Sequence, residues 1–234
     1  MPVFLDRAEE IWGFFSEPFT RILVISEMKN DIIARYMWWF NQFEVEPKSV
    51  FKFCEDASFS ESDFYLEFSD LRSVKESVLV HLWSVSVESL SQEEFYQSAE
   101  SHEKMLSAMY AFVETLKANR SYLIQAYGSW QNPTDSFHGM RAWRGEFLSF
   151  SSGIGLTGMD LNIDVLKGKT DMINHNTLFA NAAFVFHFWL KDRSKAFEQT
   201  DACIEKLFTL SFELLQSNTL GKAIDFGKFL FQNR

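Results

Sequence analysis

Apolar residues recur every three to four positions along most of this chain, and the breaks in that rhythm mark its elements. From Lys29 to Phe43, Ile32, Ile33, Tyr36, Met37 and Phe40 fall on one face of a helix. Pro47 suits the first turn of a second helix, where its missing N–H costs nothing, and Val50, Phe53 and Cys54 give that helix an apolar side. After a short turn at Asp56 to Phe59, Ser60 is placed to cap a third helix, with Asp63 three positions on completing the cap. Phe64 and Phe68 then share a face that can close over the first two helices.

The same period continues. A longer helix begins near Leu71 or Arg72 and runs through Val78, Leu79, Leu82 and Trp83 towards Val87. Ser91 to Glu94 repeats the capping pattern, and Met105, Met109, Phe112, Val113 and Leu116 mark another amphipathic helix, followed by a helical Tyr122 to Trp130. Phe137, Met140, Trp143, Phe147 and Phe150 form an apolar series ahead of the glycine-containing SSGIGLTG. The last third predicts helices over Asn174 to Leu190, Ser194 to Leu215 and Leu220 to Phe231. Phe179, Ala183, Phe186 and Leu190 share one face there, and Ile204, Leu207, Phe208, Ser211 and Leu215 another, so the two helices can pair and still leave apolar surface for a second subunit. The fold class is all-α.

Composition sharpens this. A chain of 234 residues that is 47% hydrophobic can bury an ordinary core without a covalent staple. Its two cysteines, Cys54 and Cys203, sit in apolar helical patterns and read as buried hydrophobes of a reducing compartment. The stretch MPVFLDRAEEIWGFF has no positive region ahead of its apolar residues, and Leu178 to Leu190 is too short to span a bilayer, which predicts a soluble cytoplasmic protein.

Little chemistry of a catalytic kind is encoded. SSGIGLTG lacks the Gly-Lys-Ser/Thr ending of a phosphate loop, and Lys167-Gly168-Lys169-Thr170 lies too far downstream to supply it. His138, His175 and His187 stand in no metal-ligand spacing. We therefore expect no enzyme, no metal and no cofactor.

The order helix, short helix, tight turn, short helix with Phe-Tyr-x-x-Phe, then long linking helix resembles the DNA-binding head of TetR-family transcriptional regulators. The closest likeness is to divergent members of the Bacteroidetes type that have a TetR-like C-terminal domain. Ser60, Phe64, Tyr65 and Phe68 carry it in the head, with the helix from near Leu71, and the phrases FWLKDRSKAFEQTD and IDFGKFL are similar to those members' tail. The likeness covers about residues 28 to 231 and implies an extension at 1–27, a helix-turn-helix head at 28–75 and a helical ligand-binding and dimerisation domain at 76–234.

The resemblance further implies a homodimer built on the helices near 174–190 and 194–215, a small hydrophobic ligand in the larger domain, and release of DNA when that ligand binds. The implied pocket draws on Tyr127, Trp130, Phe137, Trp143, Phe147, Phe179 and Phe186, each of which also reads as ordinary core packing. Phosphate contacts would fall to Lys48, Lys52 and Lys75, phosphate or base-edge contacts to Ser60 and Ser62, and a backbone contact to the Tyr65 hydroxyl.

Charge opposes the DNA reading. The net formal charge is −10, and residues 1–90 hold 8 Lys and Arg against 16 Asp and Glu. Nucleic-acid footprints are usually basic. Here the third helix offers Glu61, Asp63 and Glu67, and Leu71 stands where the family often has a phosphate-binding Lys. The same architecture occurs in lipid-binding proteins of quinone biosynthesis, which do not bind DNA, and an acidic, Phe-rich chain suits that alternative.

Overall fold

Three short helices close on two phenylalanine rings, Phe53 and Phe64, at the N-terminal end of the described chain. The structure, a computed structural model, describes residues 27–128, 139–155 and 170–216. The expected helix at Leu220–Phe231, and Trp130, Phe137 and His138, lie outside those residues. Every regular element among the described residues is helical, and the chain divides into two units, Met1–Val78 and Leu79–Arg234.

In the first unit, α1 (27–43) buries Ile32, Ile33, Tyr36, Met37, Trp39 and Phe40. It stops where Glu44 enters the left-handed region at φ 57° and donates its N–H to Phe40 O at 2.9 Å. Pro47 is buried but precedes the next helix instead of opening it. The start of α2 (Val50–Ala57) is fixed by Ser49, whose hydroxyl accepts the Lys52 N–H at 3.1 Å. A side-chain cap satisfies an orphan N–H, which the proline could not do from its position.

Ser58 ends α2 at φ 62°, giving the tight turn. Ser60 caps α3 (Glu61–Glu67) as its spacing predicts, accepting from the Asp63 N–H at 3.0 Å and donating to the Asp63 carboxylate at 2.6 Å. Phe64 is fully buried, 6.0 Å from the Phe53 ring and 6.0 Å from Phe68, while Phe53 meets Tyr36 at 6.3 Å. The Asp70 carboxylate then accepts the Ser73 N–H at 2.7 Å and opens α4 (Leu71–Ser91), which begins in this unit and ends in the next.

The second unit takes Leu79, Leu82, Trp83 and Ser86 from α4. Ser91 does not cap the next helix. It sits in the last turn of α4 with its hydroxyl on Glu88 O at 2.7 Å, and α5 (Glu94–Ser98) starts after Glu93. Capping falls instead at Glu100, whose N–H reaches the Glu103 carboxylate at 3.0 Å as α6 (Ser101–Ala118) begins. Then come α7 (Arg120–Tyr127), α8 (Arg141–Gly153) and α9 (Thr170–Lys191), a short 3-10 turn at Lys195–Phe197, and α10 (Glu198–Gln216).

Helices α9 and α10 pack as a hairpin, and α10 also lies on α6. Asn181 on α9 donates to Ser211 on α10 at 2.7 Å. The second helix of the pair starts at Glu198, later than the predicted Ser194, because residues 192–197 form a hydrogen-bonded connection around Asp192.

Phe64→Ala should remove about 3–5 kcal/mol, as expected for deleting a fully buried ring, and loosen α1 to α3. Denaturant unfolding with hydrogen exchange on the head amides checks this; an unchanged midpoint with unchanged exchange would mean that the ring does not hold the head.

Candidate functional site

The tight turn between α2 and α3 presents the residues expected to meet nucleic acid. Lys48, Ser62 and Tyr65 are exposed, and Tyr65 keeps 53% of its surface. Two of the three lysines are already engaged within the head. Lys52 Nζ lies 2.9 Å from Glu55 and 2.9 Å from Asp56, one helical turn along α2, and these two contacts raise its pKa. Lys75 Nζ lies 2.6 Å from Glu46. Ser60 is likewise committed to its cap.

The local balance is acidic as well: residues 27–78 hold six Lys and Arg against eleven Asp and Glu. Exposed ion pairs of this kind contribute little to stability. Their relevance is to binding, since a phosphate must compete with the carboxylates for each lysine. The i,i+3 and i,i+4 spacing of Lys52 with Glu55 and Asp56 was the signal in the sequence for this pairing. No such signal links Lys75 to Glu46, which are 29 positions apart.

In the larger unit, Tyr127, Trp143, Phe147, Phe179 and Phe186 are all buried and form one aromatic cluster. Trp143 lies 5.3 Å from Phe179, 6.1 Å from Phe186 and 6.4 Å from Phe147, and Tyr127 meets Phe186 at 5.8 Å. The sequence pattern missed two members from other helices, Trp83 at 6.2 Å and Phe112 at 5.0 Å from Trp143. Trp143 Nε1 is buried without a hydrogen-bond partner among the described residues.

A second construction, unforeseen in the sequence, joins α9 to α10. Asp192 is only 4% exposed; one carboxylate oxygen accepts the Ser194 N–H at 2.7 Å, and the other accepts the Thr200 N–H at 3.0 Å and hydroxyl at 2.7 Å. Burial alone would raise its pKa, but the donors from Thr200 and Ser194 outweigh it and hold the carboxyl below its ordinary value. Arg120 donates to the carbonyls of Trp189 at 3.0 Å and Asp192 at 2.9 Å, satisfying the end of α9. Its guanidinium also stands 4.6 Å from the Trp189 ring centre and 4.5 Å from that of Phe197. Ala196 and Phe197 complete the connection with positive φ, at 53° and 64°.

Among the described residues, the histidines and cysteines gather into nothing comparable. Burial and then Lys191 lower the His187 pKa, and burial raises that of Cys203, a free thiol like Cys54. Among the described residues no three His, Cys, Asp or Glu side chains could hold a metal, and no helix is long and apolar enough to cross a membrane.

A helix-turn-helix head and a larger helical unit define an all-α, TetR-like regulator fold. The profile described as tetracyclin repressor-like, C-terminal domain, matches residues 104–230, and the chain belongs to that family. The fold is similar to a crystal structure of a putative TetR-family transcriptional regulator from Syntrophomonas wolfei str. Goettingen, with a TM-score of 0.53 and 15% identity over 82% of this chain and 96% of that one. No curated protein matches.

Asp192→Asn should cost about 1–3 kcal/mol near neutral pH, because an amide cannot accept all three donors. A carboxyl with a depressed folded-state pKa contributes stability above its unfolded pKa and loses it as pH falls through the folded value. The gap between wild type and variant should therefore shrink below about pH 4. Denaturant midpoints at a series of pH values check it; a gap constant with pH would disprove the carboxylate's role.

Proposed function

We propose that this protein is a dimeric transcriptional regulator that binds DNA through α2 and α3 and senses a small hydrophobic ligand in its larger unit. The observation that carries this reading is the α2–turn–α3 motif in a chain that belongs to a tetracyclin repressor-like family. Lys48, Ser62 and Tyr65 supply the exposed contacts, and Lys52 and Lys75 join only by giving up their carboxylates. Dimerisation uses the α9–α10 hairpin, where Phe184 is 55% and Leu210 53% exposed. Large side chains left open on paired helices suit a second subunit.

The ligand acts through the aromatic cluster around Trp143. A molecule that fits one arrangement of the dimer better than another shifts the population able to hold DNA, and DNA shifts ligand affinity by the same factor. The Bacteroidetes-type affiliation belongs to this reading too, resting on the likeness of FWLKDRSKAFEQTD and IDFGKFL to such members.

The pairing of Lys52 and Lys75 favours a second reading, a hydrophobic-ligand or lipid-binding protein that does not bind DNA. The two readings differ in one measurement, anisotropy of a labelled promoter-region fragment against random DNA of equal length over a salt series. Selective binding that weakens with salt supports the regulator. Six lysines of a dimer on phosphates would give a log–log slope of about −5, and the two Lys48 side chains alone about −2; the shallower slope is expected. Equal affinity for both fragments, or none at low salt, would sink operator recognition.

A further inference from the structure

Beside the α9–α10 connection, Phe188, Lys191, Asp192, Arg193, Ser194 and Gln199 line an open cleft of about 530 Å³. That volume is within the range of small-molecule sites. We propose that this cleft binds a small carboxylate with an apolar body, such as a medium-chain acid, at a site separate from the aromatic cluster. The inference is independent of whether the protein binds DNA.

Chemistry and position agree on this class. Lys191 and Arg193 are exposed and, among the described residues, stand in no ion pair, unlike the head lysines. Asp192, the acid in the lining, has both oxygens turned to Ser194 and Thr200, so its acceptors are occupied. Arg120 contacts the same connection through the Asp192 carbonyl, adding positive charge behind it. In a protein with net charge −10, this is a local reversal of sign. Two such cations favour an anion, and the fork of Arg193 suits a carboxylate. Phe188 offers the apolar wall that a bare inorganic ion would not use.

The connection is also built to keep its shape. Asp192, Arg120 and the rings of Trp189 and Phe197 hold residues 192–197 in place, so little ordering is required of the protein when a ligand enters. Glu198, the acid at the start of α10, is exposed and does not line the cleft.

Isothermal titration of the full chain with octanoate, 1-octanol and inorganic phosphate tests the proposal. Octanoate should bind more tightly than either control, and its Kd should rise about tenfold or more in the Lys191→Gln/Arg193→Gln double variant, the loss expected for a charge-assisted contact. Lys206→Gln, an exposed change elsewhere on α10, should leave it unaltered. Arg193→Gln alone should give a smaller rise in the same direction. Undiminished octanoate binding in the double variant would place the ligand elsewhere, including the aromatic cluster, and overturn the proposal. So would octanol or phosphate binding as tightly as octanoate, or no octanoate binding at millimolar concentration.

Discussion

Burial of Trp143 is the constraint on which the larger unit depends. Its ring is fully buried and meets Trp83 from α4, Phe112 from α6, Phe147 from its own helix, and Phe179 and Phe186 from α9. One side chain thus fixes the spacing of four helices. Aromatic pairs add about 0.5–1.5 kcal/mol each beyond the area they bury. Against this stands the Trp143 Nε1, a buried donor with no partner among the described residues, at a cost of about 1–3 kcal/mol. The packing outweighs it.

Helical periodicity made the faces legible and little beyond them. Ile32 to Phe40, Phe64 with Phe68, and Met105 to Leu116 are buried as their spacing requires, since the period of 3.6 decides which side of a helix meets the core. It cannot say which faces meet each other, so Trp83 and Phe112 were not foreseen beside Trp143. Nor can it distinguish a filled core from a cavity, and so Tyr127, Trp143, Phe147, Phe179 and Phe186 are brought together without being made a binding site by that fact. Caps are legible where the partner is local, as at Ser60. At Pro47 the cap is supplied by Ser49 instead, and Ser91 lies in the last turn of α4 and caps no helix. The Asp192 connection was illegible because its guanidinium comes from Arg120, 72 positions away.

Net charge is a poor guide to either surface taken alone. The head is acidic, and the more telling fact is that Lys52 and Lys75 are each within 3 Å of a carboxylate, so positive charge is present but internally spent. At the α9–α10 connection the reverse holds: Asp192 is turned inward by Thr200 and Ser194, leaving Lys191 and Arg193 facing solvent. The same protein therefore masks cations at one place and acids at another. Which charges are already hydrogen-bonded decides what a partner meets, and that property belongs to the fold rather than to the composition.

Helix α9 binds these features to one another. Phe179 and Phe186 reach from it into the Trp143 cluster, Phe184 is exposed, and Trp189 at its end carries the Arg120 stack. These side chains are fixed at 3.6 residues per turn on one stiff rod. A rotation of α9 that made room beside Trp143 would swing Phe184 and strain the hydrogen bonds from Arg120 to the carbonyls of Trp189 and Asp192. Close-packed interiors respond to such demands by switching between discrete arrangements instead of deforming smoothly. Rotation of α9 is thus resisted at the Asp192 joint, which ties the packing around Trp143 to the hydrogen bonds at the end of the helix.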